Sequence, residues 1–134
     1  MMKPVLTGAL AASLALAAPA FAGADDHPEL AGPVKAFHDR LSPNWHSAPG
    51  AARNAAACAG AADYASLAND IVSAPVPRSA ARGWPAATAG LRDAAIALTA
   101  YCASGHGGNV LAGLTTLHDR FHDLMETLRS AEAE

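Results

Sequence analysis

His118 and His122 stand four residues apart in the stretch LTTLHDRFHDLMETL, residues 114–128, on a segment whose apolar spacing predicts a helix. At that spacing two imidazoles lie one turn apart on the same side of a helix and can share one metal ion. The tripeptide HDR of that stretch recurs in FHDRL at residues 37–41, which makes His38 a third candidate ligand. Three imidazole nitrogens form a set suited to zinc, copper or nickel. Asp119, three residues before His122, is the carboxylate placed to orient it. The competing reading is structural. Half-exposed imidazoles often cover a helix seam, and Asp119, Arg120 and Asp123 read equally well as a solvated face with local ion pairs.

The helical phase puts Phe37 and Leu117 at equivalent core positions and His38 and His118 at the equivalent flanking positions beside them. In an up-and-down bundle the first and last helices are antiparallel neighbours, so the two histidines face each other if that side forms the contact. The axial fit is poor: counted from the ends of the expected helices, His38 and His118 are offset by about 9 Å of helical rise. His46 and His106 are expected in loops at one end of the bundle, where they could form a second cluster. Trp45 and Trp84 flank helix breakers and are expected to cap the ends of the core, where either could line a pocket. Catalytic signals are missing from the sequence. It has no GxSxG-type nucleophile motif, and no glycine-rich loop follows a strand. The chain is expected to be no enzyme.

Four helical stretches are expected to position these residues. The first covers residues 28–41, with Leu30, Val34, Phe37 and Leu41 as its seam and Pro33 either breaking it or standing at its true start. SPNWHSAPG, residues 42–50, is expected to end it. The second, residues 51–72, is mostly alanine, with Ala57, Tyr64 and Ile71 on one stripe. The proline-rich turn at 74–79 leads to the third, residues 80–102, with Leu91, Ala95, Leu98 and Cys102 in register. Asn109 is the expected N-cap of the last, in which Val110, Leu114, Leu117, Phe121, Leu124 and Leu128 repeat at spacings of 4 and 3. No β-alternation of any length occurs, so the predicted fold is all-α, an antiparallel up-and-down four-helix bundle.

Cys58 is the only cysteine near the start of the second helix and Cys102 the only one near the end of the third. Antiparallel packing brings those ends together, so a Cys58–Cys102 disulfide and the topology support each other. Thiolate ligation of a metal is the weaker alternative, since no CxxC occurs.

The first 22 residues read as a secretory signal peptide: Lys3, an apolar run from Val5 to Ala18, Pro19, and Ala20-Phe21-Ala22 as the cleavage signal. Cleavage there would leave residues 23–134, one domain by length, with eight Lys and Arg against twelve Asp and Glu, a net charge of −4. Such a chain is expected in the periplasm or secreted, where an even cysteine count favours oxidation. It is not basic enough to track phosphates, which makes nucleic acid a poor partner. No segment of the mature chain reaches the length of a membrane span.

At LTTLHDRF the chain resembles the last helix of the cytochromes c′, exported four-helix bundles in which a CxxCH motif attaches haem. Leu114 and Leu117 stand where the two attachment cysteines would be, and His118 where the axial histidine would be. The resemblance therefore implies fold and compartment. It excludes thioether attachment, and non-covalent haem would need His118 with His38 as second axial ligand, because Met125 lies on the same stripe as His118. The function expected from all of this is an exported helical protein binding a transition metal or haem through histidines, as carrier or sensor. The rival is a metal-free helical module that docks a partner protein.

Overall fold

The computed structural model describes residues 30–105 and 107–132, so the expected signal peptide and His106 lie outside the described residues. Among the described residues the fold is all-helical, without strands. Five α-helices follow one another: α1 Gly32–Trp45, α2 Ala51–Ala59, α3 Ala61–Ser73, α4 Trp84–Ala103 and α5 Gly107–Glu132, with a 3-10 turn at Arg78–Ala80 before α4. No helix among them is long and apolar enough to cross a membrane.

Helix boundaries differ from the periodicity in ways that local chemistry explains. Gly32 takes a positive φ of 56° and Pro33 falls in the first turn of α1, so the proline sits at a helix start, where its missing N–H costs nothing. At the other end α1 runs on through Pro43 to Trp45. A proline there removes only a bond of the final turn. The extension is held by tertiary contacts: Asn44 is buried and its Nδ2 donates to the Tyr64 hydroxyl at 3.4 Å.

The expected second helix is divided at Gly60 into α2 and α3. Glycine is among the weakest helix formers. It also leaves room for a neighbour, because a Cβ at position 60 would lie 2.7 Å from the Arg40 guanidinium of α1 and the arginine side chain would have to shift. The third expected helix starts later than its apolar pattern, at Trp84, with Pro85 in its first turn. The last starts earlier, at Gly107, so Asn109 lies inside it.

The core is the apolar set the spacing picks out. Phe37, Tyr64, Ile71, Leu91, Leu98, Leu114, Leu117, Leu124 and Met125 are fully buried. Where large side chains run out, alanines fill: Ala57, Ala61, Ala68 and Ala95 are all at most 3% exposed, which lets helix backbones approach closely. Helix α5 is the common partner, touching α1, α2, α4 and the 3-10 turn, while α1 rests mainly on α3 and α3 on α4. Along the α4–α5 contact, Gly83 meets Thr127, Gly90 meets Arg120, and Gly113 meets Leu98 and Tyr101. Phe37 of α1 stacks on Phe121 of α5 with ring centroids 5.3 Å apart, and Tyr64 of α3 tilts against Phe37 at 6.0 Å.

Cys58 and Cys102 form a disulfide between α2 and α4, with Cα atoms 5.4 Å apart. It closes a loop across a sequence separation of 44. The chain-entropy argument gives such a crosslink about 4 kcal/mol of stabilisation. We expect the Cys58→Ala/Cys102→Ala double variant to unfold at lower urea concentration by an amount approaching that value. Unchanged stability would mean that the alanine-rich core holds the helices without the crosslink.

Candidate functional site

The side chains singled out for their chemistry gather in one cleft of about 190 Å³. Helix α1 contributes His38, Leu41 and Trp45, with His46 just beyond its end, and α5 contributes His118, Phe121, His122 and Met125. The extension of α1 to Trp45 is what makes this possible. It moves the end of α1 a turn further from His38, so the axial offset inferred from the shorter helix is reduced, and it carries Trp45 and His46 to the mouth of the cleft.

Within the cleft the sharpest feature is the pair on α5. The Nε2 atoms of His118 and His122 lie 3.0 Å apart, with the rings edge-on at 4.4 Å. One ring nitrogen donates to the other, so the two Nε2 atoms converge. His118 is fixed from two further directions. Its Nδ1 lies 3.3 Å from Asp119 Oδ1, an arrangement that favours the Nδ1–H tautomer and leaves Nε2 as the acceptor. Its face is covered by Trp45, stacked nearly parallel at 3.8 Å. Asp119 thus serves His118, the residue before it, rather than His122 as its three-residue spacing suggests.

Trp45 is held in turn by Arg53 of α2, whose guanidinium carbon lies 4.5 Å from the indole centroid. Two groups at those distances cannot share one face of the indole, so the order is guanidinium, indole, imidazole. Arg53 is only 7% exposed, and its Nε has no hydrogen-bond partner among the described residues. The indole face offsets part of the cost of burying that charge, a cation–π interaction worth roughly 0.5–2 kcal/mol depending on desolvation.

His38 repeats the HDR geometry, with its Nδ1 3.4 Å from Asp39 Oδ1. Its ring lies against Phe121 at 6.0 Å. It lines the same cleft as the α5 pair but does not complete the expected set. Among the described residues no group of three or more His, Cys, Asp or Glu side chains is placed to hold a metal ion. The three-nitrogen site of His38, His118 and His122 is therefore not assembled, for the physical reason that His38 packs on Phe121 while the α5 pair closes on itself. His46 joins the cleft with the other three histidines. Trp45 lines it as well as capping the core, whereas Trp84 is buried at the start of α4. In the sequence Arg53 is an isolated charge with no positioning signal, and Met125 enters only as a haem ligand that its place on the stripe of His118 disfavours. The heptad relation of Met125 to His118 was the one available hint.

Burial lowers the pKa of His118, with the neighbouring imidazoles of His122 and His46 acting in the same direction and Asp119 opposing them. A lowered value means that, just below the ordinary imidazole pKa of about 6.5, the folded protein binds fewer protons than the unfolded chain. The stability contributed by neutral His118 is thus complete above that value and is lost as pH falls through it toward the lower folded value. We expect urea-unfolding stability of the metal-free protein to decline between pH 7 and 5, and His118→Asn to flatten that decline. Equal slopes in the two proteins would remove His118 as the cause.

Comparison with protein-family models, with curated proteins and with solved structures finds no match for this chain.

Proposed function

We propose that this protein is an exported carrier or sensor of a transition-metal ion, bound at the α1–α5 cleft with the His118 and His122 imidazoles as its principal ligands. The observation that carries the reading is the convergence of the two Nε2 atoms at 3.0 Å. Two imidazoles one helical turn apart are commonly solvated separately. Here one is clamped between Trp45 and Asp119 so that its free nitrogen meets the other. Depression of the His118 pKa supports the same reading, because only neutral imidazole ligates a metal.

The residues that line the cleft offer a place to bind, which is the basis of the carrier reading. Among zinc, copper and nickel, any of which imidazole can take, the further donors around the pair decide. Haem, which the cytochrome c′ resemblance brings in, is less favoured by the geometry. A cavity of about 150 Å³ takes a benzene-sized guest, and a cleft of about 190 Å³ is not much larger.

Export is supported by the Cys58–Cys102 disulfide, since structural disulfides persist in oxidising compartments. For the architecture we propose an antiparallel up-and-down four-helix bundle in which α2 and α3 together form one broken rod. The order of the α4–α5 contacts supports it, for they pair Gly83 with Thr127 at one end and Leu98 with Gly113 toward the other.

The test is a binding stoichiometry. Equilibrium dialysis of the full disulfide-bonded chain against Zn(II), Cu(II) and Ni(II) should load close to one ion per chain. The His118→Ala/His122→Ala double variant should load none while keeping its helical circular dichroism. Equal loading of the two proteins would overturn the α5 site. No loading of the wild-type chain would leave the cleft as packing and favour a module that docks another protein.

A further inference from the structure

The donor set around the α5 pair constrains which ion the cleft takes, an inference that rests on the metal-binding reading above. Zinc in protein sites is held by three or four side-chain ligands. Here two imidazoles converge and no third His, Cys, Asp or Glu completes a group among the described residues. His38, His46 and Ser42 also line the cleft, and beside them the α5 helix that carries the pair supplies a thioether. Met125 lines the cleft and is 1% exposed.

Helical geometry puts the three donors on one stripe. At about 100° per residue, His122 stands about 40° to one side of His118 and Met125 about 20° to the other. Side chains of a helix lean toward its N-terminus. The long Met125 side chain therefore leans back toward His122, one turn before it. Thioether sulfur is a soft ligand that selects monovalent copper over harder divalent ions. Trp45, with Arg53 on one face and His118 on the other, contributes by holding the His118 ring in place rather than by contact with the ion.

We propose that the cleft is selective for a soft, low-coordinate monovalent cation of the copper(I) or silver(I) class, held by His118 Nε2, His122 Nε2 and the Met125 thioether. Met125 is then the residue that sets specificity, while the histidines supply affinity for any borderline metal. The assignment can be isolated experimentally, because the other methionines, Met1 and Met2, fall within the first two residues, and both cysteines are in the disulfide.

The experiment titrates the full disulfide-bonded chain with Ag(I), a redox-inert probe, and in parallel with Zn(II). The wild-type protein and Met125→Leu, a swap that nearly conserves volume, are compared. The expected result is tighter binding of Ag(I) than of Zn(II), with Met125→Leu weakening Ag(I) by about tenfold or more, as loss of a ligating or orienting group does, and leaving Zn(II) unchanged. X-ray absorption on the wild-type silver adduct should show a sulfur neighbour beside the nitrogens, which decides the question even if the variant misfolds. Silver binding without a sulfur neighbour, or equal silver affinity in the two proteins, would overturn the proposal. Zinc binding without silver binding would also overturn it while leaving the metal-carrier reading intact, whereas failure to bind either ion would overturn both.

Discussion

The stack of Phe37 on Phe121 is the contact on which the cleft depends. Both rings are at most 4% exposed, and their centroids lie 5.3 Å apart. One residue beyond Phe37 is His38, and flanking Phe121 along α5 are His118 one turn before and His122 one residue after. Once the two rings are seated, the register of α1 against α5 is fixed, and the imidazoles on both helices must open onto the same side. Loss of a buried phenyl ring typically costs about 3–5 kcal/mol. In this chain the loss would also free α1 to slide, because α1 otherwise rests mainly on α3. The apolar seam is thus both the source of cohesion and the device that sets the geometry of the polar groups beside it.

A second layer of order is polar and comes from residues far apart in sequence. Arg53, Trp45 and His118 lie on α2, α1 and α5, and they stack face to face. A nearly buried guanidinium with an unpartnered Nε is costly unless something replaces its hydration. The indole face replaces only part of it. That arrangement is a poor way to gain stability, since an apolar residue at position 53 would fill the space without a desolvation penalty. It is a good way to hold an indole flat, because the cation draws the π face toward itself while the imidazole bears on the other side. The result is a preorganised His118, whose ring plane is set before any ligand arrives.

Much of this was legible in the chain, and what was not has a physical explanation. The seam of α5, from Val110 to Leu128, follows its spacing because every apolar side chain at that period has a neighbouring helix to meet, and Cys58 pairs with Cys102 as expected, although the break at Gly60 leaves Cys58 at the end of α2 rather than near the start of a longer helix. The equivalence of the two HDR motifs also holds, down to the carboxylate beside each Nδ1. The ends of α1 and the break at Gly60 were not legible. Both depend on contacts across helices, Asn44 with Tyr64 in one case and Arg40 with the Gly60 backbone in the other, and local propensity carries no record of such partners. The site was half legible for the same reason. A spacing of four finds His118 and His122, but no periodicity reports that Trp45 would cover one of them, that His38 would settle on Phe121, or that a core methionine would border the cleft.

The way the pair is built bears on what a bound ion could do. A site of three or four rigid ligands holds a metal firmly and releases it slowly. His118 is still 21% exposed, so an ion held at this pair would have one side reachable from solvent. His122 is the less constrained of the two, exposed to solvent and tied to the structure chiefly through His118. Such an asymmetric pair would permit stepwise ligand exchange, with the more exposed His122 released first and the clamped His118 retaining the ion until an incoming donor has taken its place. A catalytic site would need the opposite arrangement, with an open position held at fixed geometry. The asymmetry between a clamped His118 and a looser His122 thus suits the carrier reading proposed above, in which an ion must be both held and passed on.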